Sequence, residues 1–241
     1  MRTHRHALPA LLGATVIAAA AVPAQAATSS PPIPPAQQNP ARFTTTIDNP
    51  FLPFVPGTRM VYRERTEDGP GREVVTVTPR TKTVQGVETV VVRDREFIRG
   101  DLVEDTRDWY AQDRRGNVWY FGENTKEYED GKVVSTDGSW KAGRDGARAG
   151  IVMPADPKVG DSYYQEYAPG EALDQAKVLR LDGARTVPYG SFDDLLVTKD
   201  FSELEPNVVE HKFYAPGIGV VLEKLVRGGR ERVALVRITH V

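Results

Sequence analysis

The chain predicts an all-β protein of mainly antiparallel sheets, curved or sandwich-like and built from an internal duplication. Three observations point there: β-branched runs of strand length, tight turn pairs between them, and one set of landmarks that recurs about a hundred residues on. Val74-Val75-Thr76-Val77-Thr78 and Glu88-Thr89-Val90-Val91-Val92 are β-branched runs joined across Gln85-Gly86. Trp109-Tyr110-Ala111 and Val118-Trp119-Tyr120-Phe121 flank Asp113 to Asn117, whose Gly and Asn tolerate positive φ. Asp130-Gly131 and Gly228-Gly229 supply two more hairpin turns. Runs of hairpins give antiparallel sheets, not a parallel α/β fold.

The recurrence has a nearly constant spacing. Gly57-Thr58 before Arg59 to Tyr62 is echoed by Gly160-Asp161 before Ser162 to Gln165, 103 residues later. Thr83-Val84 is echoed by Thr186-Val187 at the same interval, and Trp109-Tyr110-Ala111 by Phe213-Tyr214-Ala215. Three blocks in one order at a nearly fixed offset mark a repeated unit. The predicted organisation is therefore a first β repeat with an extra hairpin over 43–135, an insertion loop over 136–157, and a second β repeat over 158–241. Glu171 to Leu179 has a helical composition, but the repeat overlays it on a strand, so Ala176 to Leu181 is read as strand. A turn of helix at Glu171 to Asp174 is the local alternative.

The N-terminal region predicts export. Arg2 and Arg5 begin a basic segment, Ala7 to Val22 is apolar, and Ala24-Gln25-Ala26 is a small-x-small cleavage site, so 1–26 reads as a signal peptide. Pro9 and the preponderance of Ala disfavour a membrane span, so no stable insertion is expected after cleavage. Residues 27–42 are rich in Pro, Gln and Ser and read as an extended linker. The chain contains no Cys, which excludes disulfides, thiolate catalysis and lipidation at a cysteine. Removing 1–26 shifts the formal charge from −2 to −4, and Lys and Arg are scattered along the chain. A nucleic-acid partner is therefore not expected.

Two motifs carry a resemblance. Val187-Pro188-Tyr189-Gly190-Ser191-Phe192 is followed by Tyr214-Ala215-Pro216-Gly217-Ile218-Gly219. This pair resembles a Val-Pro-x-Gly-x-Phe and Tyr-Ala-Pro-Gly-x-Gly module of exported bacterial β-rich proteins. The match covers about the last quarter of the chain. The stretch from Asn49 to Thr58 also looks like the start of such proteins. The resemblance implies a secreted or extracytoplasmic β domain and brings no catalytic residues with it.

No assembled catalytic set is visible. Gly-x-Ser-x-Gly is absent, and His211 is the one histidine in the middle of the chain, so neither a nucleophile elbow nor an all-His metal site is available. No cofactor and no metal are expected. Glu104, Asp105, Asp108, Asp113, Glu123, Glu127, Glu129 and Asp130 surround the aromatic hairpin, and their alternation with Arg and Thr reads as a solvated strand face. Adjacent aromatics on strands point to opposite faces, so one of each pair fills a core while the other can line a groove. The leading expectation is a non-enzymatic binding module for an apolar or amphiphilic ligand or a cell-envelope partner. Trp109, Trp119, Phe121, Trp140 and Met153 are its candidate ligand-binding residues. The alternatives are a structural or partner-binding extracellular module without a small ligand, and a carboxylate-based secreted hydrolase.

Overall fold

The computed structural model describes residues 30–240. The expected signal peptide, its cleavage site and the first linker residues lie outside the described residues. A short 3-10 turn at Pro40–Arg42 leads into β1 (Phe43–Thr44). A first meander follows: β2 (Thr58–Thr66), β3 (Gly69–Val84), β4 (Val87–Ile98), β5 (Asp101–Asp113) and β6 (Val118–Asn124). Short elements come next: β7 (Glu127–Glu129), β8 (Lys132–Ser135), β9 (Trp140–Lys141), β10 (Arg148–Met153), β11 (Ser162–Tyr164) and β12 (Glu166–Tyr167). A second meander completes the fold: β13 (Asp174–Val187), β14 (Gly190–Ser202), β15 (Val209–Ala215), β16 (Gly219–Arg227) and β17 (Arg232–His240).

These strands close on themselves. Each meander pairs consecutively, and β17 pairs antiparallel with β2 from Arg232↔Arg65 to His240↔Thr58. On the far side β6 pairs with β10, β10 with β12, and β11 with β13, only Gln165 separating β11 from β12. With β11 and β12 taken as one broken strand, twelve strands form an antiparallel barrel. Closure removes the edges that an open sheet would otherwise expose.

Turn chemistry sets the hairpins as the sequence implies. Gln85-Gly86 and Asp130-Gly131 both hold positive φ at each residue, the geometry whose twist matches the flanking strands. The segment 136–157, expected as an insertion loop, instead supplies β9 and β10, because Gly150 lets the backbone pass against Gln165 with no Cβ between them. The alternative of a helical turn at Glu171 to Asp174 is not realised: 168–172 is a tight turn closed by the Ala168↔Ala172 bridge, and Asp174 opens β13. The described part of the linker is docked rather than free: Pro31 and Pro34 are buried, the Pro34 carbonyl accepts from Arg148 at 2.8 Å, and the Ala36 carbonyl accepts from Gln85 at 3.1 Å.

One end of the barrel is plugged. Ile47, Leu52 and Phe54 are buried in the main core with Met60, Val77, Val118 and Tyr214. Asn49 fastens this plug: its amide donates to the carbonyls of Gly116 (2.9 Å) and Pro154 (3.0 Å), and its Oδ1 accepts from the backbone of Phe51 and Leu52. Gln112 accepts from the backbone of both Asp48 and Asn49, tying the plug to β5. A second apolar cluster lies on the opposite side of β4 to β6, where Trp109, Ala111 and Phe121 meet Trp140, Ala142 and Ala149.

A bulge in β6 controls what faces inward. Asp108 lies opposite Glu123 and Tyr110 opposite Tyr120, so three steps on β6 match two on β5. The extra residue falls at Phe121-Gly122, Gly122 has φ +122°, and a Cβ there would run into the Trp140 carbonyl. Gly122→Ala should therefore lower stability by about 2–4 kcal/mol, read as a reduced urea midpoint at unchanged slope.

Candidate functional site

Barrel closure leaves a cavity of about 370 Å³ among the inward side chains. Its wall changes character along the strands. On β2 and β3, Met60, Tyr62 and Val75 give way to Glu73; on β4, Val92 is followed by Asp94. On β5, Tyr110 is succeeded by Asp108, Thr106 and Glu104, and on β15 Tyr214 by Lys212 and Glu210. Leu52, Phe54 and Ile218 cover the apolar end. At the other end the cavity reaches the loops carrying Glu67, Glu205 and Glu231. Thirteen of its lining residues are carboxylic acids; Lys212 is the one basic residue among the described ones.

Glu104, Asp108 and Glu123, expected on a solvated face, thus point into the barrel. The misreading has a simple cause: alternation shows that a strand has two faces, but only closure decides which is enclosed. Asp105, on the opposite face of β5, is also buried and takes a bidentate pair from Arg93 at 2.8 and 2.7 Å. Its carboxyl is lowered by that pair and by Arg107, against the raising effect of its burial, which is the largest single influence. Asp113 organises the β5–β6 turn, accepting from the backbone of Arg115 and Asn117 and from the Trp119 indole.

Enclosure perturbs the ionisation of the lining groups. Burial, then Glu73, pushes the Asp94 carboxyl well above the ordinary range. Glu123 rises through burial and then through Glu166, Asp108 and Glu104. Glu166 rises through burial and Asp174, although the Trp140 indole donates to its Oε2 at 2.7 Å. Asp200 also rises by burial, opposed by Lys212 and by the Thr198 hydroxyl, which donates to Oδ1 at 2.5 Å. Asp200 Oδ2 is buried and accepts no hydrogen bond, the Lys212 ammonium standing 3.8 Å away. Burial alone would lower Lys212, but Glu223, Glu210 and Asp200 at 3.7–3.8 Å outweigh it and keep the amine charged. A lysine so held is no nucleophile. Among the described residues no group of three metal-binding side chains is arranged to hold an ion.

None of the five residues picked from the sequence lines this cavity. Trp109 is buried in the second cluster beneath the Lys82 ammonium, 4.9 Å from its ring. Trp119 lies edge-on to Phe43 at 6.0 Å, and Phe121 is fully buried against the same ring at 5.4 Å. Met153 is fully buried opposite Val118. Trp140 comes nearest, edge-on to Tyr120 at 5.4 Å and bonded to the lining Glu166. The cavity instead takes the other member of each aromatic pair, Tyr110 and Tyr120, stacked at 4.6 Å, with the Tyr120 hydroxyl donating to Asp108 at 2.6 Å. Alternation in the sequence placed the two sets on opposite faces; the long-range pairings that close the barrel chose between them.

The raised carboxyls fix a pH dependence. Their unfolded values lie near 3.8 for Asp and 4.5 for Glu, and the folded values lie above these. The folded state therefore holds more protons across that interval, and its stability declines as pH rises through it. His211 acts oppositely within this interval, its ring being held below its ordinary value near 6.5, and Asp105 does so only below about 3.8, so one group opposes the four raised carboxyls. The melting temperature should rise on going from about pH 8 to about pH 5, and Glu166→Gln should flatten that slope in differential scanning calorimetry.

No model of a known protein family and no curated protein matches the chain. Two solved structures are similar to it. One is a candidate exported protein with a YmcC-like fold from Bacteroides fragilis NCTC 9343, at a TM-score of 0.47 and 14% identity, covering 78% of this chain and 98% of that one. The other is a candidate lipoprotein from Parabacteroides distasonis ATCC 8503, at a TM-score of 0.44 and 12% identity, with the same coverage of each chain.

Proposed function

We propose that the chain is an exported, non-enzymatic barrel that holds an amphiphilic ligand, with the ligand's cationic end among the interior carboxylates. The observation that carries this reading is the graded cavity, apolar at the plug and acidic at the opposite end. An aliphatic or aromatic portion fits against Leu52, Phe54, Met60 and Val220, where about 25 cal/mol is gained per Å² of apolar surface removed from water. An ammonium group fits beside Asp200, whose buried Oδ2 accepts no hydrogen bond in the structure. Charge-assisted hydrogen bonds of this kind are about twice as strong as neutral ones. A non-catalytic role is supported by the spread of the acids over many strands and by the permanent charge on Lys212.

The two meanders also fit an origin by duplication. Gly57 donates to the Val77 carbonyl at 2.8 Å, and Gly160 donates to the Val178 carbonyl at 2.9 Å. The β3–β4 and β13–β14 hairpins turn at 85–86 and 188–189, the same interval apart as the sequence landmarks. In this reading one strand-forming unit was doubled and the pair closed into a single vessel.

Two experiments test the proposal. Calorimetric titration with octylammonium, octyl glucoside and octanoate should rank them in that order, and Asp200→Asn should weaken octylammonium on the order of tenfold. Octylammonium should also change Trp140 fluorescence through Glu166. No heat and no spectral change with any of the three would reject the vessel. For export, N-terminal sequencing of the secreted protein should begin near Ala27; an intact Met1 held in the membrane would reject that part.

A further inference from the structure

The outer face carries a feature that the sequence disperses. Lys177 lies opposite Lys199, Lys199 opposite His211, His211 opposite Lys224, Lys224 opposite Arg232, and Arg232 opposite Arg65. Six adjacent strands, β13 to β17 and then β2, thus each place a basic residue on one cross-strand line. The line faces outward, because its immediate neighbours Asp200, Lys212 and Glu223 line the cavity and alternate residues of a strand point opposite ways. All six side chains are half-buried or exposed, and none forms an ion pair among the described residues. At about 4.8 Å per strand the row is about 24 Å long.

Like charges directly opposite on neighbouring strands destabilise a sheet. Three of the five contacts, Lys177 with Lys199, Lys224 with Arg232 and Arg232 with Arg65, set two charged side chains side by side with no acid between them, a standing cost that an external anion would relieve. Crowding is visible at His211, whose ring is held below its ordinary range by partial burial and then by Lys199, Lys224 and Arg185. The shape of the row restricts the occupant. Six of twelve strands span about half the circumference of a closed barrel, so the two ends of the row point in nearly opposite directions. A flat membrane can meet only a few adjacent strands of such a surface, and a stiff rod fares no better. A chain that bends can follow all six.

We propose that this row is a binding site for a flexible, linear polyanion that wraps around the outside of the barrel. The site is separate from the cavity and does not depend on what the cavity holds. The probe is long-chain inorganic polyphosphate, with short duplex DNA as a stiff polyanion and phosphatidylglycerol–phosphatidylcholine vesicles as a flat anionic surface. Polyphosphate should bind the full chain with strong salt dependence, and both comparators should bind much more weakly. The variant Lys199→Gln/Lys224→Gln/Arg65→Gln should lose polyphosphate affinity on the order of a hundredfold. Lys132→Gln/Lys158→Gln/Arg114→Gln, with the same change in net charge at exposed positions off the row, should stay within about threefold.

A structural readout accompanies the binding one: at low salt the row variant should melt higher than the parent, as like-charge repulsion is removed. Absence of polyphosphate binding overturns the proposal. So does equal binding to vesicles or duplex, or an equal loss in the off-row variant. If the triple variant does not fold, Lys224→Gln alone and the three-probe comparison on the parent chain decide the matter.

Discussion

Closing twelve antiparallel strands into a ring leaves every second side chain with no choice but the interior, and the rest of this molecule follows from that constraint. A sheet with one free face can send its charged residues to water. A barrel can do so only on the outside, so whatever the inward positions carry must be satisfied in a confined space. Here those positions run from Met60, Val75 and Val92 near the plug to Glu73, Asp94 and Glu123 farther along. The apolar half supplies the core; the acidic half cannot, and what remains between its walls is a cavity.

The same alternation sorts charge by sign. On β14 to β16 the inward residues Asp200, Glu210 and Glu223 alternate with outward Lys199, His211 and Lys224. A chain of formal charge −2 therefore shows a basic row to its surroundings and keeps much of its acid within. Net charge, which governs solubility and non-specific association, says little about either face separately. Each face is costly by itself: protons must be retained inside, and like charges stand side by side outside. Such costs, kept on both faces of the same strands, fit the two binding roles proposed above.

Fold class was legible because it depends on local signals. The β-branched runs, Gln85-Gly86 and Asp130-Gly131 each fix a strand or a turn without reference to distant residues, and the strand over Ala176 to Leu181 follows from its overlay on β3. The site was less legible because it depends on closure. Alternation on β5 and β6 separates Trp109 from Tyr110 and Trp119 from Tyr120, but which set is enclosed is decided by β10, β12 and β17, far away in sequence. The bulge at Gly122 adds a second non-local step, since without it Glu123 would fall on the other face. The basic row is a stronger case still. Its members are separated by a dozen or more residues over most of its length and become neighbours only through register, so a search for runs of Lys and Arg passes over them.

The seam between β2 and β17 has a kinetic meaning. Thr58 must find His240, and Arg65 must find Arg232, across nearly the whole described chain. Pairings of such sequence separation form late, since the intervening chain must lose its freedom before any contact rewards it. Until β17 is available, the remaining strands can form meanders but cannot enclose an interior, and their carboxylates remain in water, ionised and mutually repelling. That repulsion keeps the unfinished chain expanded. For the export proposed above, which requires an unfolded chain, the delay is an advantage, because the step that buries the acids is also the step that commits the molecule to its compact form.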